Sequence, residues 1–454
     1  MTTQCERWRK LNLRQERCRW RWQAGVLLLA LLGWGDLPFA RAQAGEATTG
    51  QRTLNLPEKP HVYADAPLPE HFRSHLIQGF DTTPADNPLT DAGATLGRVL
   101  FYDTRLSVSD TVSCGSCHLQ TNAFADPRRF SPGFAGQLGD RNSMSLVNLR
   151  YARTGAFWDE RGGSLEDQAL QPIQSPIEMG NDLKTVVATL SADKRYAKLF
   201  NDAFGDNDVT PDRIAKAIAQ FLRSMVSCGS KYDQGIVQVK SRDDAFPNFS
   251  EAENLGKSLF IKNCAICHVP RGGQVALFSM FRTLNNGVDP DATVKDTGAG
   301  DISFNPAEAG LFKPSDLRNV EYTAPYMHDG RFKRLEEVVE HYSSGVNRHP
   351  NVSPFAFRMQ FSTEQKEALV AFLKTLSDPK FVRDERFSNP WVGGPADMRQ
   401  HDAAVAEAVV ANEAVKFTAK TRAAWLAEGR GLPSDQVAHW LADIDLDGDG
   451  ALQA

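Results

Sequence analysis

The residues best suited to chemistry lie in two short segments of the same form, residues 114–118 (CGSCH) and 264–268 (CAICH). In a CxxCH segment the two thiols form thioether bonds to the vinyl groups of a haem, and the histidine ligates its iron from one face. The alternative is a zinc knuckle or a redox CxxC pair, but zinc would need four ligands gathered in one closed site. The sequence therefore predicts two covalent haem c groups, held by Cys114, Cys117, His118, Cys264, Cys267 and His268.

The N-terminus indicates export, which suits covalent haem attachment. Residues 1–23 hold seven Lys or Arg side chains, an apolar run follows over 24–34, and Ala40-Arg41-Ala42 is a small-x-small cleavage site. This order predicts a signal peptide over residues 1–42 and a periplasmic mature protein; the alternative is a retained anchor, for which the apolar run is short. Cys5 and Cys18 would leave with it, and Cys228, the leftover thiol, is expected to be buried and apolar.

Charge narrows the class of partner. Removal of residues 1–42 takes away eight basic and three acidic side chains and moves the formal net charge from −5 to −10. Nucleic-acid binders need clustered positive charge, so that class is excluded. An acidic protein suits a small basic partner. Past the signal peptide, no apolar stretch approaches the ~20 residues that a membrane span needs.

The elements that must position the two sites are mainly helical. Thr210-Pro211 opens a helix, and the capping boxes Ser250–Glu253 and Ser362–Gln365 open two more. Alternating strand patterns are scarce, so the predicted fold is mainly α, with two c-type cytochrome-like domains, one haem each, and long loops. We expect an irregular lead-in over 43–88, an N-terminal haem domain over 89–240 that ends in a polar linker (233–248), a C-terminal haem domain over 241–380, and a helical extension over 381–454. Outside the two CxxCH segments, the flanking sequences of the two domains are not expected to be alike.

Longer motifs carry a resemblance to a known family. They are residues 96–107 (LGRVLFYDTRLS), 157–161 (FWDER), 175–179 (SPIEM), 317–320 (LRNV) and 324–330 (APYMHDG). In this order they resemble the bacterial di-haem cytochrome c peroxidases, a family that includes the MauG-type enzymes, which oxidise a tryptophan pair in a precursor of methylamine dehydrogenase. The resemblance covers roughly residues 85–380.

The resemblance implies that the N-terminal haem reacts with peroxide. Many members of the family place a gating histidine after the first CxxCH, but residues 119–141 contain none, and the equivalent place reads Ser-Pro-Gly-Phe over 131–134. An open haem without a reductive gate is therefore implied, unless His71 or His75 swings in. Glu178 matches the family's distal acid–base glutamate, with Gln168 ten residues and Pro172 six residues before it. Without the motif, a surface glutamate at a turn would be the ordinary interpretation.

At the C-terminal haem, the resemblance implies an axial ligand fourteen residues after His328. Peroxidases of the family usually supply Met there, whereas this chain has Tyr342, as MauG-type enzymes do. An axial phenolate would favour ferric over reduced iron; the alternative is a packed tyrosine with Met327 or Met359 as the ligand. Trp158 matches the aromatic residue between the haems, where it could relay an electron or simply pack.

Calcium is implied at two places. Asn142, Thr323 and Pro325 match the family's inter-haem calcium ligands, the last two through backbone carbonyls. Asp445, Asp447 and Asp449 fit the start of an EF-hand loop, but the chain stops before the position of the bidentate glutamate, so weak binding or a polar tail is expected.

The function indicated by the resemblance is that of a periplasmic di-haem peroxidase-type oxidoreductase. Hydrogen peroxide would oxidise either a cytochrome c or cupredoxin donor or, as with MauG, a side chain of a partner protein. The alternative from another class is a non-catalytic di-haem electron carrier, which requires both irons to be six-coordinate.

Overall fold

The computed structural model describes residues 52–152, 156–269, 277–278, 283–290, 295–356 and 358–392. The predicted signal peptide and the EF-hand-like end, with Asp445, Asp447 and Asp449, lie outside these residues. The α-helices are α1 (Glu70–Arg73), α2 (His75–Gln78), α3 (Asp91–Phe101), α4 (Cys114–Cys117), α5 (Leu165–Gln174), α6 (Leu183–Ser191), α7 (Lys194–Phe204), α8 (Pro211–Ser224), α9 (Lys231–Ile236), α10 (Glu251–Asn263), α11 (Ala265–His268), α12 (Ala299–Ser303), α13 (Leu335–Glu340) and α14 (Thr363–Lys374).

The helix starts follow the capping residues in the sequence. The Thr210 hydroxyl accepts a hydrogen bond from the backbone N–H of Arg213, and Pro211 is the first residue of α8. Ser250 and Ser362 begin α10 and α14 with reciprocal capping boxes. These bonds satisfy backbone donors that have no partner within the helix, so the predicted starts are confirmed.

Two separate hydrophobic cores support the predicted two-domain, mainly α fold, which is confirmed. The first core joins α3 and α8 around Phe101, Phe124 and Phe221. The second joins α10 and α14 around Tyr232, Phe260 and Phe372. Among the described residues, strand structure is limited to β1 (Thr53–Leu54) paired antiparallel with β2 (Trp391–Val392) and a few isolated bridges.

The two domains repeat one helix crossing, which corrects the expectation that their flanking sequences are unlike. Gly97 of α3 packs on Ala217 and Phe221 of α8, and Gly256 of α10 packs in the same way on Ala368 and Phe372 of α14. The sequence around each glycine is also alike, LGRVLF over 96–101 and LGKSLF over 255–260, followed later by FLRS over 221–224 and FLKT over 372–375. The missing Cβ lets the two helix backbones approach closely ahead of each haem site.

Two predicted boundaries differ from the structure. Residues 381–392, assigned to a separate extension, belong to the first core: Phe387 and Trp391 are buried there, and the Trp391 indole N–H donates to the Val99 carbonyl at 3.0 Å. The predicted polar linker over 233–248 begins inside α9 and buries Phe246 in the second core. In both places aromatic burial outweighs a polar or proline-containing composition. Cys228 is partly buried beside a small third cluster that contains Phe72 and Tyr151.

Replacing Gly256 with alanine is expected to lower the free energy of unfolding by about 1–3 kcal/mol through overpacking. The new Cβ would lie 2.5 Å from the carbonyl carbon of Ala368 and 2.8 Å from Phe372 Cβ. This cost opposes the gain of about 1 kcal/mol that alanine brings to a helix interior. Urea denaturation measures it. The matched control is Gly139→Ala, whose Cβ would meet nothing nearer than 3.8 Å and should change stability by less than about 0.5 kcal/mol. An unchanged or raised stability of Gly256→Ala would contradict the close crossing.

Candidate haem sites

The first CxxCH segment forms a single helical turn. The backbone N–H of Ser113 donates to the Ser116 hydroxyl at 3.0 Å, and the N–H of His118 donates to the Cys114 carbonyl at 3.0 Å. Nδ1 of His118 lies 2.8 Å from the Phe124 carbonyl. Because a carbonyl only accepts, Nδ1 carries the proton and Nε2 is left with the lone pair that an iron needs. Burial lowers the pKa of His118 and keeps the ring neutral.

The second CxxCH segment starts where α10 ends. Cys264 closes α10 and begins α11, and the N–H of His268 donates back to its carbonyl at 3.0 Å. Burial lowers the pKa of His268 to about 4, partly opposed by the Ser315 carbonyl. Cys264, Cys267 and His268 line a cavity with about 1560 Å³ of empty space, part of it open to solvent. Thiols, a neutral imidazole and apolar walls together fit a covalently attached haem.

The turn that carries Glu178 is held from two sides. The carbonyl of Pro172 in α5 accepts from the N–H of Met179 at 3.2 Å, which folds residues 175–180 back onto the helix. The carbonyl of Glu178 accepts from the N–H of Phe134 at 2.8 Å. A Cβ on Gly133 would lie 2.9 Å from the Glu178 carbonyl oxygen, so this contact needs glycine. The segment over 131–134 therefore packs against the backbone of the Glu178 turn. This segment stands where many members of the family have a gating histidine.

The two thiols of the first haem site are buried, and burial raises the pKa of both Cys114 and Cys117. The negative charge of Glu178 adds a small further rise to each pKa. The pKa of Glu178 is itself raised by desolvation, against a hydrogen bond from Ser175 and the positive charge of Arg161. Glu178 lies at the exposed surface of its turn, although neighbouring groups desolvate its carboxyl. A carboxyl with a raised pKa suits proton transfer near neutral pH. Gln168, on α5, is half-buried one helical turn before Pro172.

The two histidines considered as replacement gates have other surroundings. His71 is buried, and its Nε2 lies 2.8 Å from the Asp233 carboxylate, which Arg318 binds through two further hydrogen bonds of 2.8 and 2.9 Å. His75 is exposed on α2. The hydrogen bond to Asp233 would have to break before His71 could move, and a hydrogen bond to a charged group contributes about 1.5–3 kcal/mol.

Trp158 connects the two halves of the molecule through its polar atoms. Its indole N–H donates to the Asn142 carbonyl at 2.8 Å, and its own carbonyl accepts from the N–H of Lys313 at 2.7 Å. The N–H of Asn142 in turn donates to the His328 carbonyl at 2.7 Å. Trp158 also lines the cavity of the second site. Phe157 and Glu160, in the same turn, have left-handed backbones with φ of 71° and 57°, a strain that clusters at functional sites.

The structure brings all three candidate axial ligands to the second cavity. Tyr342 lies in a π-helix (His341–Gly345), a form common at functional sites, and burial raises its pKa to about 12. Tyr342 lines the same cavity as the thiols of Cys264 and Cys267. Met327 and Met359 line that cavity as well. The choice of Tyr342 over methionine therefore stays a prediction.

The expected inter-haem calcium residues also meet at this cavity, where Asn142, Thr323 and Pro325 all line its wall. The side-chain amide of Asn142 donates to the carbonyls of Asp126 and Arg128 at 3.1 and 2.9 Å. Its amide oxygen is left for another partner. No cluster of three or more His, Cys, Asp or Glu suited to a metal occurs within the described ranges. A cation held by amide and backbone oxygens would need no such cluster.

One residue at the second site escaped the sequence reasoning. The side-chain NH2 of Asn286 lies 3.3 Å from the Tyr342 hydroxyl oxygen and 3.4 Å from the Met327 sulfur. Asn286 is 41 residues from Met327 and 56 from Tyr342, so no local spacing signals the contact.

Comparison with known proteins identifies both domains. A family model described as di-haem cytochrome c peroxidase matches residues 91–241, and one described as cytochrome c matches residues 254–377. The chain is 33% identical to the cytochrome c551 peroxidase of Nitrosomonas europaea, covering 63% of this chain and 79% of that protein. It is 31% identical to the methylamine utilization protein MauG of Paracoccus denitrificans, covering 67% and 94%.

A solved structure is also similar. It is titled a MauG-like protein associated with microbial copper homeostasis, and it matches with a TM-score of 0.60 and 34% identity, covering 68% of this chain and 95% of that one. Of the helices that the structure describes, none combines the length and the apolar character that crossing a membrane requires.

Proposed function

This chain belongs to the di-haem cytochrome c peroxidase family, and we propose that it uses hydrogen peroxide to oxidise a protein partner in the periplasm. The overall step consumes one peroxide, two protons and two electrons from the donor and forms two water molecules. The observation that carries the proposal is the placement of the Glu178 turn, whose backbone carbonyl accepts from the N–H of Phe134 in the segment 131–134, the place at which many members of the family have a gating histidine. When bound, the haems supply the redox chemistry with peroxide.

At the first site, the residues hold the group and move protons. His118 is oriented by the Phe124 carbonyl, which leaves Nε2 for iron. Glu178 would accept a proton from the bound peroxide and return it to the leaving oxygen, as a general base and then a general acid. The Phe134 and Pro172 contacts fix the backbone of the Glu178 turn. Gln168 and Pro172 would shape the same side of the site.

The residues of the second site would allow the oxidising equivalents formed at the first haem site to be shared between the two sites. Trp158 lies on the wall of the second cavity and is hydrogen-bonded to Asn142 of the first domain. An indole is readily oxidised, so Trp158 is our candidate for the relay between the sites. Tyr342 is our candidate for a further ligand of the second haem iron, because it lines the same cavity as Cys264, Cys267 and His268.

The donor that we favour is a side chain of a partner protein, with a cytochrome c or a cupredoxin as the broader alternative. Two observations support this preference. Tyrosine rather than methionine occupies the expected ligand position, and a hard ligand disfavours the reduced haem that a reductively activated peroxidase needs. The similarity to MauG and to a MauG-like protein points the same way. A non-catalytic carrier would need a second protein ligand at both irons, and residues 119–141 contain no histidine.

Replacing Glu178 with glutamine is expected to slow the reaction with peroxide by about 10²–10⁴-fold, because the amide cannot accept the proton. In the unaltered protein the rate should fall as the pH drops through the raised pKa of Glu178, since only the carboxylate accepts a proton. The variant should lose that dependence. Stopped-flow absorption of the ferric protein with peroxide measures both effects.

The control is Glu58→Gln, which removes the same charge from an exposed position. Its rate and pH profile should match the unaltered protein. An undiminished rate in Glu178→Gln, with the pH dependence retained, would remove Glu178 from the proton transfer.

Calcium is the further cofactor that we propose, held between the sites by Asn142 and the carbonyls of Thr323 and Pro325. Metal analysis of the purified protein should find about one calcium per chain. Asn142→Ala should lose that calcium, whereas Asn207→Ala, an exposed amide, should keep it. A protein that carries two haems and no calcium would contradict the assignment.

A further inference from the structure

Two side chains that could ligate the second haem accept hydrogen bonds from the same side-chain amide. The Nδ2 atom of Asn286 lies 3.3 Å from the Tyr342 hydroxyl oxygen and 3.4 Å from the Met327 sulfur. An amide NH2 has two hydrogens, so it can donate one to each. All three residues line the cavity that contains His268. Asn286 therefore contacts two of the three candidate ligands, the Tyr342 phenol and the Met327 thioether.

The side-chain oxygen and the backbone carbonyl of Asn286 also accept hydrogen bonds. Its side-chain oxygen accepts from the N–H of Val288 at 3.2 Å, which fixes the amide orientation and directs the NH2 group at the two ligands. Its backbone carbonyl lies 3.1 Å from Nε2 of His341, the residue beside Tyr342. The ring of His341 also packs edge-on against Tyr342, with centroids 5.2 Å apart. The loop of Asn286 and the π-helix of Tyr342 are therefore joined by more than one contact.

Both competing residues occupy unusual backbone conformations. Met327 has a left-handed backbone with φ of 73°, and Tyr342 lies in a π-helix. A non-glycine residue at positive φ persists where surrounding contacts impose that conformation. The hydrogen bond to the Met327 sulfur is one such contact.

We propose that Asn286 is a positioning residue that selects Tyr342 over Met327 as the axial ligand of the second haem. One N–H holds the phenol oxygen in the cavity, and the oxygen retains a second lone pair for iron. The other N–H occupies the thioether sulfur, a weak acceptor, and restrains Met327 away from that position. The same amide thereby presents the hard ligand and withholds the soft one. This inference rests on the proposed di-haem function and assigns the ligand choice within it.

The test compares the spectra of the ferric protein without peroxide or donor, by absorption and electron paramagnetic resonance. Asn286→Leu removes both donors at nearly constant volume and should replace the signal of the second haem with a new one. Tyr342→Phe should give the same new signal, because Met327 then becomes the ligand in each. Asn286→Leu combined with Met327→Leu should lose that signal, whereas Met327→Leu alone should keep the original spectrum.

The matched control is Asn347→Ala. The side-chain NH2 of Asn347 also donates a hydrogen bond to the loop of Asn286, to the Val288 carbonyl at 3.1 Å. The spectrum of the Asn347→Ala protein should be the same as that of the unaltered protein. If Asn286→Leu fails to fold or to take up haem, Asn286→Ser removes the amide with less disturbance and is read in the same way.

Three results would overturn the proposal: an Asn286→Leu spectrum identical to that of the unaltered protein, an unchanged spectrum in Tyr342→Phe, or a new signal that survives in the double variant. Failure of the proposed peroxidase function would be seen separately, as no reaction with peroxide, because these spectra are recorded in its absence.

Discussion

The hydrogen bond from the Trp158 indole to the Asn142 carbonyl is the contact on which the proposed coupling of the two haem sites depends. Asn142 belongs to the first domain and is fixed by the carbonyls of Asp126 and Arg128 and by the carbonyl of His328. Trp158 is fixed on its other side by Lys313. Each of these polar groups is buried or half-buried, so leaving one unpaired would cost about 1–3 kcal/mol. The indole is thereby held on the wall of the second cavity.

The two sites share a scaffold and differ in what faces it. The same close helix crossing occurs in both domains: Gly97 of α3 packs against α8, and Gly256 of α10 packs against α14. Each glycine precedes the CxxCH turn of its domain. Near the first turn we propose a proton-transfer residue, Glu178. The cavity of the second is lined by an oxygen and a sulfur, those of Tyr342 and Met327, that share the amide of Asn286. In our proposal, one duplicated fold thus serves proton transfer at one site and iron ligation at the other.

Much of this could be predicted from the sequence, because the signals were local. The CxxCH turns, the caps at Thr210, Ser250 and Ser362, and the mainly helical fold depend on residues within a few positions of one another. Contacts between distant segments were not predictable in the same way. Trp391 packs on α3 across 292 residues, and Asn286 reaches Tyr342 across 56, so neither leaves a spacing pattern. The glycine repeat was present in the sequence, but its meaning depends on which helix packs against it.

The central claim is that the first haem site is open and reacts with peroxide without a reductive gate. The two oxidising equivalents are then shared with the second haem, with Trp158 as the relay and Tyr342 as the ligand of that haem. The most direct measurement mixes the resting ferric protein with one equivalent of peroxide and no reductant, and follows absorption by stopped flow. Our account predicts immediate formation of a long-lived species oxidised by two electrons. A resting protein that ignores peroxide until the second haem has been reduced, and then turns over a cytochrome c, would contradict it.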